Sequence, residues 1–243
     1  MHKANLEDYL RTARVLHTAP LGGGLGHRHK QLLILDGGLG VVAKLAEGPD
    51  DGARSIAARQ VCSEVAAWFL AHELGWDDLV PVTTMGVVKS KFTGEHVAAS
   101  LQIAWPRFNL AAELAMEPAD CDDSDRWRVA IFDALAGNTD RNATNWGLIQ
   151  DLPRAKLIDH GSGFGLEPTT SQFATELNGE QIPEMHKRYL ETFIANEKGS
   201  RLPTILPDTA ALTLFERAQD LVQNGTLSIQ NLQNPILSPN CDI

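Results

Sequence analysis

The first regular pattern along the chain is a set of short apolar runs separated by glycines: Val15–His17, Gln31–Leu35 and Val41–Leu45, divided by Leu21-Gly22-Gly23-Gly24-Leu25-Gly26 and by Asp36-Gly37-Gly38. Apolar, partly β-branched runs bounded by glycine turns predict hairpins. The period then changes. Val61, Val65, Trp68 or Phe69, and His72 recur at helical spacing, which predicts an amphipathic helix over 54–74 stopped by Gly75. Strands are predicted at Leu79–Val82, Met85–Val88 and Ser100–Trp105, the last broken by Pro106. Beyond that the pattern is mostly helical: 125–136 capped by Ser124 or Asp123, 183–197, and 208–223 closed by Gly225. Two short strands, Trp146–Ile149 and Lys156–Ile158, interrupt it between Gly137 and Phe164. The order predicts an α+β, bilobal fold, with a β-rich first part carrying one helix (1–104) and a mostly helical second part (105–243). A cleft is expected near 104–110.

Composition narrows the function classes. A chain of 243 residues suits one large domain or two lobes around a cleft. The net charge of −10 argues against broad binding to nucleic acid or anionic membrane. Cys62, Cys121 and Cys241 are too widely spaced for a disulfide framework or a zinc site, which points to a reducing, cytoplasmic setting. The first residues have no apolar signal-like core, and no apolar run reaches the roughly 18 residues a bilayer span needs, so no integral membrane association is expected. The Asn-x-Thr sequons at Asn142 and Asn224 are read as coincidence.

The chemistry concentrates in Gly137-Asn138-Thr139-Asp140-Arg141-Asn142-Ala143-Thr144-Asn145-Trp146, followed by Ile158-Asp159-His160-Gly161. Taken singly, Asp140, Asn145 and Asp159 are ordinary turn formers. Together, an Asp-x-x-x-x-Asn loop, a short hairpin and an Asp-x-Gly supply what phosphoryl transfer requires. Asp140 would orient and deprotonate an attacking hydroxyl, while Asn145 and Asp159 would offer oxygen ligands to Mg²⁺ on ATP. Lys44 ends an apolar strand, where it would neutralise phosphate charge. Glu64 lies beside the apolar stripe of the 54–74 helix and is the natural ion-pair partner for Lys44, with Glu73 a weaker candidate. Gly23, Gly24 and Gly26 would let backbone N–H groups approach phosphates, with Arg28, flanked by His27 and His29, as the charge at the loop tip. The acidic stretch Glu117–Asp125 raises a metal-dependent hydrolase, but no histidine accompanies it and a solvated loop before a helix is the better reading.

These motifs together resemble the atypical kinases of the phosphatidylinositol 3-/4-kinase-like superfamily. Within it the local likeness is to type II phosphatidylinositol 4-kinases and HipA-like bacterial kinases. The resemblance runs over about residues 15–165, includes Ser63-Glu64-Val65, Val80-Pro81 and Ser100-Leu101-Gln102, and is sharpest over 137–161. It implies a bilobal kinase with ATP between the lobes. Lys44 would hold the phosphates, Glu64 would position Lys44, Asp140 would be the base, and Asn145 and Asp159 the Mg²⁺ ligands. The hinge from Ile103 to Arg107, entered through Gln102, Ile103 and Ala104, would meet adenine. The chain departs from the pattern at Asn142, where many relatives have His, and at His160, where protein kinases have Phe.

The acceptor is not written in these motifs. An acidic chain without a membrane anchor, and without a basic cluster over Ser162–Gln181, favours a protein Ser/Thr substrate by elimination. A lipid or small-molecule kinase, and transfer of AMP to a protein on the same fold, are the alternatives.

Overall fold

The computed structural model describes residues 3–21, 30–150 and 152–229. Five strands form one antiparallel sheet in the order β1-β2-β3-β5-β4: β1 Val15–Pro20, β2 Lys30–Leu35, β3 Gly40–Leu45, β4 Thr83–Lys89 and β5 His96–Ile103. The β2–β3 turn has Gly37 and Gly38 at φ 84° and 82°, a left-handed pair that only glycine adopts without strain. Alternation along β3 buries Val41, Ala43 and Leu45 and turns Val42 and Lys44 to the other face, which borders a cleft.

Helix α2, Asp51–Glu73, joins β3 to β4; Asp50 caps it by accepting from the Ala53 N–H. The stripe expected here becomes something broader, because Ser63 to Ala71 is buried without a break. A helix apolar on every side must be covered on every side. Cover comes from the sheet, and α1, Lys3–Thr12, a helix the sequence pattern did not reveal, reaches α2 through Glu7. Trp68 Nε1 donates to Glu7 Oε1 on α1 at 3.0 Å, and Arg201 grips the same Glu7 while its guanidinium lies 3.8 Å from the Phe69 ring centroid. The β-rich part therefore carries two helices rather than one.

The strand expected at Leu79–Val82 does not form. Pro81 has no N–H to give a ladder, and the segment instead passes its carbonyls to Leu157 N–H and Ile103 N–H as β4 starts at Thr83.

The second part holds a three-stranded sheet, β6 Phe108–Leu110, β7 Trp146–Ile149 and β8 Leu152–Leu157, in the order β6-β7-β8. Short helices α3, Ala111–Leu114, and α5, Gln172–Glu176, flank the longer α4, Asp123–Ala136, α6, Glu184–Ala195, and α7, Asp208–Asn224. Helix α4 is capped by Asp122, one residue before the expected Asp123 and two before Ser124, and its C-cap Gly137 at φ 56° ends it at the loop that carries Asp140. The acidic stretch Glu117–Asp125, which runs into the first turn of α4, is only partly solvated: Asp125 is buried, accepts from Ala155 N–H at 2.6 Å and pairs with Arg128. One continuous apolar core runs through both parts. No helix among the described residues is long and apolar enough to cross a membrane.

Candidate active site

A cleft of about 280 Å³ opens between the two sheets. Its walls are apolar, with Val42, Ile103, Ala104, Trp105, Phe108 and Ile158, and Lys30, Lys44 and Asp159 stand together among its lining. A planar apolar group followed by an anionic tail has the chemistry such a cavity takes.

Lys44 is placed there by the alternation of β3, and it pairs with two carboxylates at once. One is Glu64, almost fully buried on α2; the other is Asp159 Oδ1, at 2.7 Å. Burial disfavours the ammonium, but Glu64 first and Asp159 second outweigh it and hold the Lys44 pKa above its ordinary value. Glu64 is itself fixed from three sides: by Lys44, by the His160 N–H at 2.7 Å, and by Gln102 Nε2 at 3.4 Å. Glu73 is not the partner; it accepts from the Arg201 N–H.

Lys30 escaped the sequence reading. It lies directly opposite Lys44 in the β2–β3 register and bonds Asp159 Oδ2 at 2.6 Å. Two like charges opposite each other destabilise a strand pair unless something neutralises them. Asp159 does, one oxygen to each lysine. Burial would raise the Asp159 pKa, but Lys44 and Lys30 hold it well below the usual carboxylate range. The only sequence signal was the position of Lys30 at the start of a strand whose register with Val41–Leu45 had to be known first.

Asp140 and Asn145 form the second group. Asn145 Nδ2 donates to the Asp140 carbonyl at 2.6 Å and to Asp140 Oδ2 at 3.2 Å. Asn142 Nδ2 donates to Asp140 Oδ1 at 2.8 Å, and the Asn142 amide oxygen is held by the N–H and hydroxyl of Thr144. So the residue that departs from the expected His orients the Asp140 carboxylate, which stays exposed. Neither Asp140 nor Asn145 is among the described residues lining the cleft.

Arg141 joins the two groups. Its fully buried guanidinium pairs with Asp133 on α4, and it donates to the carbonyls of Asn145 and Ile158 and to His160 Nδ1. Asp159 between these anchors has φ 56°, a left-handed value rarely tolerated by a side-chain-bearing residue. Burial and then Arg141 keep the His160 pKa well below its usual value, so its ring is neutral.

The other expected contacts are placed less directly. Gln102 serves Glu64 and Thr83. Ile103 and Ala104 line the cleft, but their N–H groups are committed to the carbonyls of Val82 and Gly40. These two residues thus offer apolar wall rather than N–H. Gly23, Gly24 and Gly26, with His27, Arg28 and His29, lie outside the described residues.

The donor set suits a hard divalent cation. Asp159 and Asn145 carry carboxylate and amide oxygens, the hard donors such an ion takes, with both Asp159 oxygens here held by Lys30 and Lys44; no group of three or more His, Cys, Asp or Glu that could hold a metal ion occurs among the described residues.

No protein-family model and no curated protein matches the sequence. Solved structures do match its fold. Hydra Fam20 with sugar superposes with a TM-score of 0.60 at 15% identity, over 91% of this chain and 88% of that one. The Golgi casein kinase with Mn/ADP bound superposes with a TM-score of 0.57 at 13% identity, over 95% of this chain and 75% of that one. The chain therefore has a kinase-like α+β fold, a β-sheet part followed by a helical part.

Proposed function

We propose that the chain is an ATP-dependent phosphotransferase that uses Mg²⁺ and moves the γ-phosphate to a hydroxyl, with protein Ser/Thr as the acceptor and the cytoplasm as its setting. On the catalytic-loop motif it is placed near the type II phosphatidylinositol 4-kinase-like and HipA-like bacterial kinases. The observation that carries the reading is the double pairing of Lys44, with Glu64 from α2 and with Asp159 from the segment after β8, beside an apolar cleft. The Mn/ADP bound in the Golgi casein kinase of like fold supports the use of a nucleotide and a divalent ion.

The roles follow from the contacts. Val42, Trp105 and Phe108 give the base an apolar slot. Lys44 and Lys30, now neutralised by Asp159, are the cations at hand for the phosphates, and Asp159 and Asn145 are the oxygen donors for the ion. The ion, when bound, neutralises charge on the phosphates. Asp140, exposed and held by Asn142 and Asn145, takes the proton of the acceptor hydroxyl. The lobes meet at this cleft with the first part ending near 104. The acidic net charge supports a protein acceptor over an anionic lipid surface.

The test is incubation with a cell lysate and ATP labelled in parallel at the γ- or α-phosphate. Label from γ-ATP on a protein is expected. Label from α-ATP would mean nucleotidyl transfer, and label in the lipid fraction alone would overturn the protein acceptor.

A further inference from the structure

Asn145 and Asp159 come from different segments, yet a shared ion requires their oxygens to converge. Their side chains share no hydrogen bond, so the backbone beneath them must set the separation. Two ties do this. The Ile158 N–H donates to the Asn145 carbonyl at 3.0 Å, and a single Arg141 nitrogen, Nη1, donates to the Asn145 carbonyl at 2.5 Å and to the Ile158 carbonyl at 2.8 Å. The same guanidinium reaches past Asp159 to His160 Nδ1 at 3.2 Å through Nη2. Asp159 is thereby held on both sides in a left-handed conformation it would not keep unaided.

The group is built to stay put. The Arg141 and Asp133 side chains are fully buried, and Asp133 bonds both Nε and Nη2 of Arg141. The His160 ring is wedged edge-on against Phe132 at 5.5 Å. Asp133 and Phe132 both belong to α4. A planar fork with fixed donors makes all these contacts at once; a lysine ammonium cannot.

We propose that Arg141 is the positioning residue that sets the distance between the candidate metal ligands Asn145 and Asp159, and so sets the affinity of the site for a divalent cation with nucleotide. The inference rests on the nucleotide reading above. Arg141 touches neither nucleotide nor ion; it acts through the two backbone carbonyls and His160. Groups that orient metal ligands from behind are typically worth about 10–100-fold in metal affinity.

The test is Mn²⁺ binding by the full chain at saturating ADP, read from the electron paramagnetic resonance of free Mn²⁺, for wild type, Arg141→Lys and His160→Phe. Arg141→Lys keeps the charge opposite Asp133 but loses the fork. It is expected to raise the half-saturating Mn²⁺ concentration by about tenfold or more while circular dichroism stays native. Turnover at saturating Mn²⁺ should recover much further than turnover at low Mn²⁺, a split that general destabilisation would not produce. His160→Phe removes one anchor, keeps the ring against Phe132 and should shift the same midpoint less. Unchanged Mn²⁺ affinity in folded Arg141→Lys overturns the proposal. Should that variant not fold, unchanged affinity in His160→Phe overturns it instead. Wild-type protein that takes up no Mn²⁺ with ADP would refute the nucleotide reading itself, a separate outcome.

Discussion

Lys30 and Lys44 face each other across the β2–β3 hairpin, and each holds one oxygen of Asp159. The two are not equivalent, because only Lys44 also neutralises Glu64, whose side chain is 1% exposed. Lys44→Met strands a buried carboxylate and is expected to cost about 3–5 kcal/mol of stability. Lys30→Ala leaves Asp159 with Lys44 and should cost about 1 kcal/mol or less. Urea unfolding of the two variants checks this, and equal losses would contradict the pairing.

Asn142 points its amide at Asp140 Oδ1 and is anchored by Thr144. Asn142→Ala should leave the Asp140 carboxylate held by Asn145 alone, through Oδ2. Since a hydrogen bond to a charged group is worth about 1.5–3 kcal/mol, turnover should drop by about tenfold or more with nucleotide affinity unchanged. Steady-state kinetics that show a raised KM for ATP at full turnover would contradict this orienting role.

Gly147 sits where β6 presses on β7. A Cβ there would come 2.0 Å from the Asn109 carbonyl oxygen, which is backbone and cannot swing aside. Gly147→Ala is expected to destabilise the chain by about 3 kcal/mol. An unchanged melting temperature would mean that β6 and β7 do not pair this closely.

Stability should fall on mild acidification. His186 is buried beside Trp76, Tyr189 and Arg128; burial first and Arg128 second hold its pKa down to about 4. The unfolded chain takes up a proton on this residue below about pH 6.5 and the folded chain does not, so stability is lost as pH falls from about 6.5 to about 4. The full loss is about 3 kcal/mol. His186→Gln should remove that part of the pH dependence, leaving the share of His160, which is also held neutral. An identical pH profile in the variant would contradict the assignment.

The local elements were legible where the period was clean. β2, β3 and α7 fall within a residue or two of their expected ends, because alternation or helical spacing and glycine stops agree there. What tertiary contact decides was not legible. Helix α1 matters through Glu7, whose partners Trp68 and Arg201 are remote in sequence. Pro81 ends a strand-like run by lacking a donor at one position. In the site, Lys44 with Glu64 could be paired from strand and helix periods, whereas Lys30 needed the hairpin register and Arg141 needed the fold of two loops at once. Asn142, read only as a departure from a pattern, turns out to be the residue that orients Asp140.

The most direct measurement of the central claim is γ-phosphate transfer from labelled ATP by wild type, Asp140→Asn and Asp159→Asn, with folding checked by circular dichroism. The account expects transfer by wild type and none above background by either folded variant. It also expects Asp140→Asn to bind ATP with Mg²⁺ as wild type does, and Asp159→Asn to lose the Mg²⁺ dependence of binding. Transfer at wild-type rates in both variants would contradict it.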